Sequence, residues 1–281
     1  MDWFFALEGE APQELWTPVF SRTHLLWLSA VALICAAVTI WFRRQKPAAK
    51  TIVLKSCIWI AVGSELVRDL WLIFVGKFDI SYMLPLHLCG AMLFVELAAI
   101  YTKKPLLMEL CYCLGLPGAL SALLTPGVTD FPMWNLMYLQ FILAHSVLFL
   151  IPVLLLADGF RPDYRQLPKC FLSLLLLAVF DSLTNFILNS NYLFLRGSSP
   201  DSLLEVIERT AGTLYLPAVM CFVWLVWAVF YLPWPAVRKL RSQLKKASAS
   251  SSTPQTPAPN QSALIGYVRK IAQAARVRLH S

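Results

Sequence analysis

Apolar residues in this chain come in long unbroken blocks rather than in alternation. Seven blocks stand out, at about 25–42, 52–76, 83–100, 106–124, 133–157, 168–189 and 211–233. Each approaches the roughly 17–25 residues that a helix needs to cross a bilayer at about 1.5 Å per residue. Runs such as FLSLLLLAVF (171–180) lack the period-two pattern of barrel strands. Lipid offers no partner for backbone amides, and a helix satisfies its own. No repeat on the scale of roughly 20–50 residues suggests a solenoid. The pattern predicts an all-α membrane protein, with seven transmembrane helices in one bundle over residues 1–235.

Connections between the blocks are short. The largest, SNYLFLRGSSPDSLLEVIERT (190–210), is broken by Gly197 and Pro200. Ser199 or Ser202 is placed to cap a short surface helix carrying Glu205 and Glu208. Residues 236–281 form a basic tail. Within it, ASASSSTPQTPAPNQ (247–261) is a low-complexity linker. ALIGYVRKIAQAARVRLH (263–280) regains helical periodicity, with Leu264, Val268, Ile271 and Ala275 on one face and Arg269, Gln273, Arg276 and His280 on another. Such a basic helix suits an anionic lipid surface.

Composition agrees: 58% of residues are hydrophobic and 14% charged, with mean hydropathy +0.62. A soluble domain carries about 25% charged residues. The net charge of +8 would suit nucleic acid, but its distribution argues otherwise. Arg43, Arg44, Lys46, Lys50, Lys103, Lys104, Arg161, Arg165, Lys169 and the tail all fall on one side of the alternating loops. Arg22, Lys77, Arg196 and Arg209 fall on the other, while Lys55 and Arg68 lie within the second block. The positive-inside rule then puts the N-terminus outside and the C-terminus in the cytoplasm of a multi-pass cell-membrane protein. Asp2, Glu8, Glu10 and Glu14 make the N-terminus unlike a secretory leader. The seven cysteines lie in or beside apolar blocks and predict no disulfide framework.

Ionisable groups at membrane depth are costly and mark functional sites by default. The second block carries Glu65, Arg68 and Asp69 at helical spacing on one face. The third carries His87, expected one turn inside its helix, and Glu96. The fifth carries Gln140 and His145, and the sixth Asp181, Asn185 and Asn189. Most of these share the outer half of the expected bilayer. Glu109 is expected at the opposite interface, beside Lys103 and Lys104. Pro85 and Pro117 are expected to distort their helices and free carbonyls for the polar cluster. Gly115 and Gly118 permit close helix approach. Cys89 reads as packing.

Five stretches carry a resemblance: LPLHLCG (84–90), ELCYCLGLPGALSALLTP (109–126), FILAHS (141–146), LADGFRPDYR (156–165) and NYLFLRG (191–197). Together they resemble the YwaF-like family of bacterial integral membrane proteins, over about residues 15–235. That family is related to the eukaryotic transmembrane protein 164 and, more distantly, to membrane lipid hydrolases. The resemblance implies chemistry on acyl chains, by transfer to ether phospholipids or hydrolysis of branched fatty-acid esters. Those relatives pair a nucleophile with a membrane-embedded His. The relative's His matches His145, and its Pro–Cys–His stretch matches Pro85–Leu86–His87. Leu86 therefore stands at the nucleophile position.

The catalytic candidates are His145, His87, Asp69 and Asp181, with a carboxylate such as Asp69 or Asp181 orienting the general-base histidine. Glu65, Arg68, Gln140 and Asn185 are candidates for substrate binding. Membrane lipids are the expected partners, with no nucleic acid. No cofactor or metal is expected: a His87, Cys89 and His145 metal site has no close ligand pair to support it. Two other classes stay open, a proton-coupled transporter and a non-catalytic membrane subunit.

Overall fold

The computed structural model describes residues 3–200, 202–237, 239 and 243. Among these, every regular element is helical. They are α1 (Arg22–Arg43), α2 (Pro47–Phe74), α3 (Leu88–Thr102), α4 (Pro105–Leu110), a π-helical turn (Cys111–Gly115), α5 (Leu116–Leu124), α6 (Leu136–Asp158), α7 (Leu167–Leu188), α8 (Leu203–Ala211) and α9 (Tyr215–Tyr231). Five stretches are long and apolar enough to cross a membrane: Arg22–Arg43, Pro105–Leu124, Leu136–Asp158, Tyr164–Leu188 and Leu203–Val237. α3 is apolar but shorter, and α2 carries charge along its 28 residues. The chain divides into two units after Leu232, and α1 to α9 all belong to the first. The expected linker (247–261) and interfacial helix (263–280) lie outside the described residues.

α6 is the hub. It packs against α1, α2, α3, α5 and the π turn. Apart from a few polar positions, Gln140 and His145 among them, it is apolar on all sides, as suits a helix enclosed by others. Its Ile151 and Leu154 are fully buried, and Val147 and Leu148 join them in a core with Phe42, Ile58, Ala61 and Ala99. Lipid gives no hydrophobic drive for helix association, so close packing must supply it; Ala61, Ala99, Ala119 and Ala144 supply the required small buried surfaces. The outward faces carry Leu26, Leu33 and Ile34 on α1, Leu66, Leu70 and Phe74 on α2, and Leu176, Val179 and Phe186 on α7. Exposed apolar area of this extent belongs to a lipid-facing surface.

Two expectations about proline change. α3 starts at Leu88, so Pro85 lies in the preceding loop and His87 is the N-cap residue rather than one turn inside. Proline disfavours helical backbone at Leu84, and His87 itself is extended (φ −61°, ψ 154°). The loop folds tightly onto the first turn of α3. A Cβ on Gly90 would lie 2.6 Å from Pro85 Cα, so only glycine fits. Pro117 does free a carbonyl, that of Cys113, four residues earlier. The acceptor goes to the Trp227 indole of α9, whose Nε1 donates at 2.7 Å, and not to the polar cluster. The same region is widened into the π turn, where the Leu116 amide bonds Cys111 O.

Glu109 has partners that the sequence does not show. It is 2% exposed and accepts from Asp163 N (2.9 Å) and from the Tyr231 hydroxyl, so it is enclosed by protein and ties a loop and α9 to α4. At the other end of the helices, Asn135 caps α6 by accepting from Met137 N and donates to Trp3 O and Ala6 O, both 2.9 Å. Leu136 N adds a bond to Phe4 O. The N-terminal segment is thereby held against residues 129–136, with Thr17 N on Thr129 O. Of the two expected caps for α8, Ser202 takes the role, accepting from Glu205 N. His24 is structural: its Nδ1 accepts from Phe20 N and its Nε2 donates to Leu123 O.

Replacing Trp227 by Phe leaves the Cys113 carbonyl buried and unbonded, which should cost about 1–3 kcal/mol. Adding Pro117→Ala restores an N–H to that carbonyl. In chemical unfolding of the micelle-bound protein followed by circular dichroism, the pair should be clearly less destabilised than the sum of the single changes.

Candidate functional site

The helical spacing on α2 puts Glu65, Arg68 and Asp69 on one face, and the side chains meet. Arg68 Nη2 lies 2.6 Å from Glu65 Oε2 and 2.7 Å from Asp69 Oδ1, and Nε donates to the same Asp69 oxygen at 3.0 Å. Two carboxylates around one guanidinium leave a single net negative charge. Pairing within one helix turn lowers the cost of holding such groups at membrane depth. Gln140 of α6 reaches across, its Nε2 donating to Glu65 Oε1 at 2.8 Å.

His145 follows on α6. Its Nδ1 bonds the Phe141 carbonyl at 2.8 Å, and its ring stacks on Phe141 with centroids 4.0 Å apart. A carbonyl only accepts, so Nδ1 carries the proton and Nε2 the lone pair. Nε2 has no partner among the described residues and, unlike the nitrogens of His87, is not sealed off. The charge of Arg68 lies within electrostatic reach of His145. The expected orienting carboxylate is absent from this contact. Asp69 is engaged by Arg68, and the helix's own backbone orients the imidazole instead.

His87 stands in a second group. Its ring is enclosed by Tyr82 (5.2 Å between centroids), Tyr192 (5.1 Å) and Phe194 (4.9 Å), and neither nitrogen has a hydrogen-bond partner. The loop that sets Tyr82 is folded by Asp79, whose Oδ1 accepts from Ser81 N (2.8 Å) and Oγ (2.7 Å). Those bonds hold the Asp79 carboxyl below the usual carboxylate range. Tyr192 joins this loop to α7: its hydroxyl donates to Ile80 O and accepts from Leu84 N. Asn185 holds Tyr192 through both backbone groups, accepting from N at 2.6 Å and donating to O at 2.9 Å. Asn185 is therefore a positioning residue for the His87 enclosure. Asp181, one turn earlier, is fully buried with neither oxygen bonded.

The structure thus unites Glu65, Arg68, Asp69 and Gln140, with His145 beside them, and gathers His87 and Asn185 around Tyr192. No hydrogen bond or ion pair among the described residues links His87 to His145, or Asp181 to either. Tyr82 is edge-on to His87 and within electrostatic reach of Arg68. Cys89 packs against the core. Among the described residues no three His, Cys, Asp or Glu are grouped to hold a metal ion.

A comparison with protein families matches residues 19–231 to the TMEM164 family. The chain belongs to that family. No curated protein and no solved structure matches it. The family match runs from just before α1 to the last residue of α9 and takes in every residue of both polar groups. This TMEM164-family chain is a multi-pass membrane protein.

Sequence reasoning missed Tyr82, Phe141, Tyr192 and Phe194. Tyr192 and Phe194 lie within NYLFLRG, seven and nine residues after Asn185, a spacing that carries no recognised signal. Phe141 acts through its backbone, which a sequence does not single out.

Arg68→Leu leaves two carboxylates facing each other without a cation and should destabilise the protein by about 3 kcal/mol. Arg68→Lys should recover only part, because an ammonium lacks the planar fork that meets both acids. Denaturant unfolding in micelles reads both values.

Proposed function

We propose that this chain is a lipid-directed enzyme, an acyltransferase or lipid-ester hydrolase, with His145 as its general base. The observation that carries this reading is the His145 tautomer fixed by Phe141, with Nε2 free beside a charged cluster. Nε2 takes the proton from a hydroxyl as that oxygen attacks an ester carbonyl. The ester C–O bond then breaks, and the proton passes from Nε2 to the departing oxygen. A lipid hydroxyl as attacker gives acyl transfer, and water gives hydrolysis. Direct attack accords with Leu86 at the position where, by the resemblance, transmembrane protein 164 keeps a nucleophile.

In this scheme Asp69 holds Arg68 and Gln140 holds Glu65, so the cluster forms a fixed polar wall beside His145 for the substrate. Asn185 sets the enclosure of His87, and His87 and Asp181 keep their polar atoms for the substrate. The same reading has seven crossings of the cell membrane, the N-terminus outside and the site in the outer half. Arg43, Arg44, Lys103, Lys104, Arg161 and Arg165 support that orientation. The basic tail (236–281) meets the anionic cytoplasmic surface.

The test uses the full chain in liposomes containing ester phospholipids and a lipid alcohol, with acyl species quantified by mass spectrometry. His145→Ala should lower the rate by about 10²–10⁴-fold, the range of a lost general base. An unchanged rate would remove His145 from the chemistry.

A further inference from the structure

Glu96 lies midway along α3, is fully buried, and takes no part in the reaction proposed above. Neither carboxyl oxygen has a hydrogen-bond partner, and no cation pairs with it among the described residues. Two features are fitted around it. The chain widens into a π turn opposite, a device common at functional positions. Gly115, the last residue of that turn, leaves the space the acid occupies: a Cβ there would lie 2.9 Å from Glu96 Oε1 and 3.2 Å from Met92 Cε. An acid that bonds nothing adds nothing to helix association, so its niche is not explained by packing.

The titratable and charged groups on α3 and the elements packed against it are Cys89 and Tyr101 on α3 itself, Cys111, Tyr112 and Cys113 in the π turn, Lys50, Lys55, Cys57, Glu65, Arg68 and Asp69 on α2, Glu109 on α4, and Tyr138, His145 and Asp158 on α6. Of the charged members, Arg68 is engaged by Glu65 and Asp69, and Glu109 by Asp163 and Tyr231. The thiols of Cys89 and Cys111 are within electrostatic reach of Glu96, and Cys89 also feels Glu65. An ionised carboxylate with no partner in such surroundings is far costlier than a neutral acid. We infer that Glu96 is an exchangeable proton-binding site, separate from the His145 cluster, whose ligand is the proton.

Infrared spectra of the full-length protein in liposomes, compared between water and D₂O at neutral pH, test this without reference to acyl chemistry. A carboxylic-acid C=O band should shift down in D₂O, vanish in Glu96→Gln and persist in Asp181→Asn. Gly115→Ala, which presses a methyl on Oε1, should move that band without removing it, and so covers the case in which Glu96→Gln does not fold. A band untouched by both substitutions, a band insensitive to D₂O, or no acid band would overturn the assignment. A carboxylate band that responds to added sodium would also overturn it and make the niche a metal-cation site.

Discussion

Buried polar side chains that take up backbone groups lipid cannot solvate fix the loops of this protein. Asn135 serves Met137 N, Trp3 O and Ala6 O; Asn185 serves both backbone groups of Tyr192; Glu109 takes Asp163 N; Trp227 takes Cys113 O. Each unmet group would cost several kcal/mol in hydrocarbon, so these few contacts decide where the connections lie. Against that background the unmet groups stand apart. The ring nitrogens of His87 and the carboxyl oxygens of Glu96 and Asp181 are buried with no partner, as are the hydroxyls of Thr17, Tyr138 and Ser146. A chain that satisfies His24 on both ring nitrogens is able to satisfy histidine; where it does not, satisfaction is left to something else.

α6 explains why the polar cluster forms where it does. Enclosed by α1, α2, α3 and α5, it offers Gln140 and His145 to the interior. The α2 triad needs a neighbour able to share its charge, and α6 is the helix α2 packs against most extensively. Charge pairing within α2 and hydrogen bonding across to α6 are thus two parts of one arrangement.

Much of this was legible in the sequence. Each of the seven apolar blocks overlaps a helical stretch, though only five of these stretches are long and apolar enough to cross a membrane, and the spacing of Glu65, Arg68 and Asp69 foretold that they share a face. Hydropathy and helical period carry that information directly. The start of α3 was not legible, because a block of apolar letters does not reveal that Pro85 and Gly90 fold the loop back on itself. Glu109 beside two lysines reads as an interface residue; its burial depends on Asp163 and Tyr231, which are distant in sequence. The orientation of His145 was illegible for another reason. Its acceptor is a main-chain carbonyl, and every residue in a helix has one.

The Asn135 contact has a consequence for biogenesis. One side chain both begins α6 and holds residues separated from it by 132 and 129 positions. During synthesis the first residues must wait, undocked, until five helical elements and the π turn have been made. Contacts of such sequence separation form late, because the intervening chain must be ordered first. This end of the bundle is therefore closed by an early part of the chain joining a much later one, and an insertion intermediate ending before Asn135 has α1 to α5 but neither α6 nor the cover that Asn135 ties down.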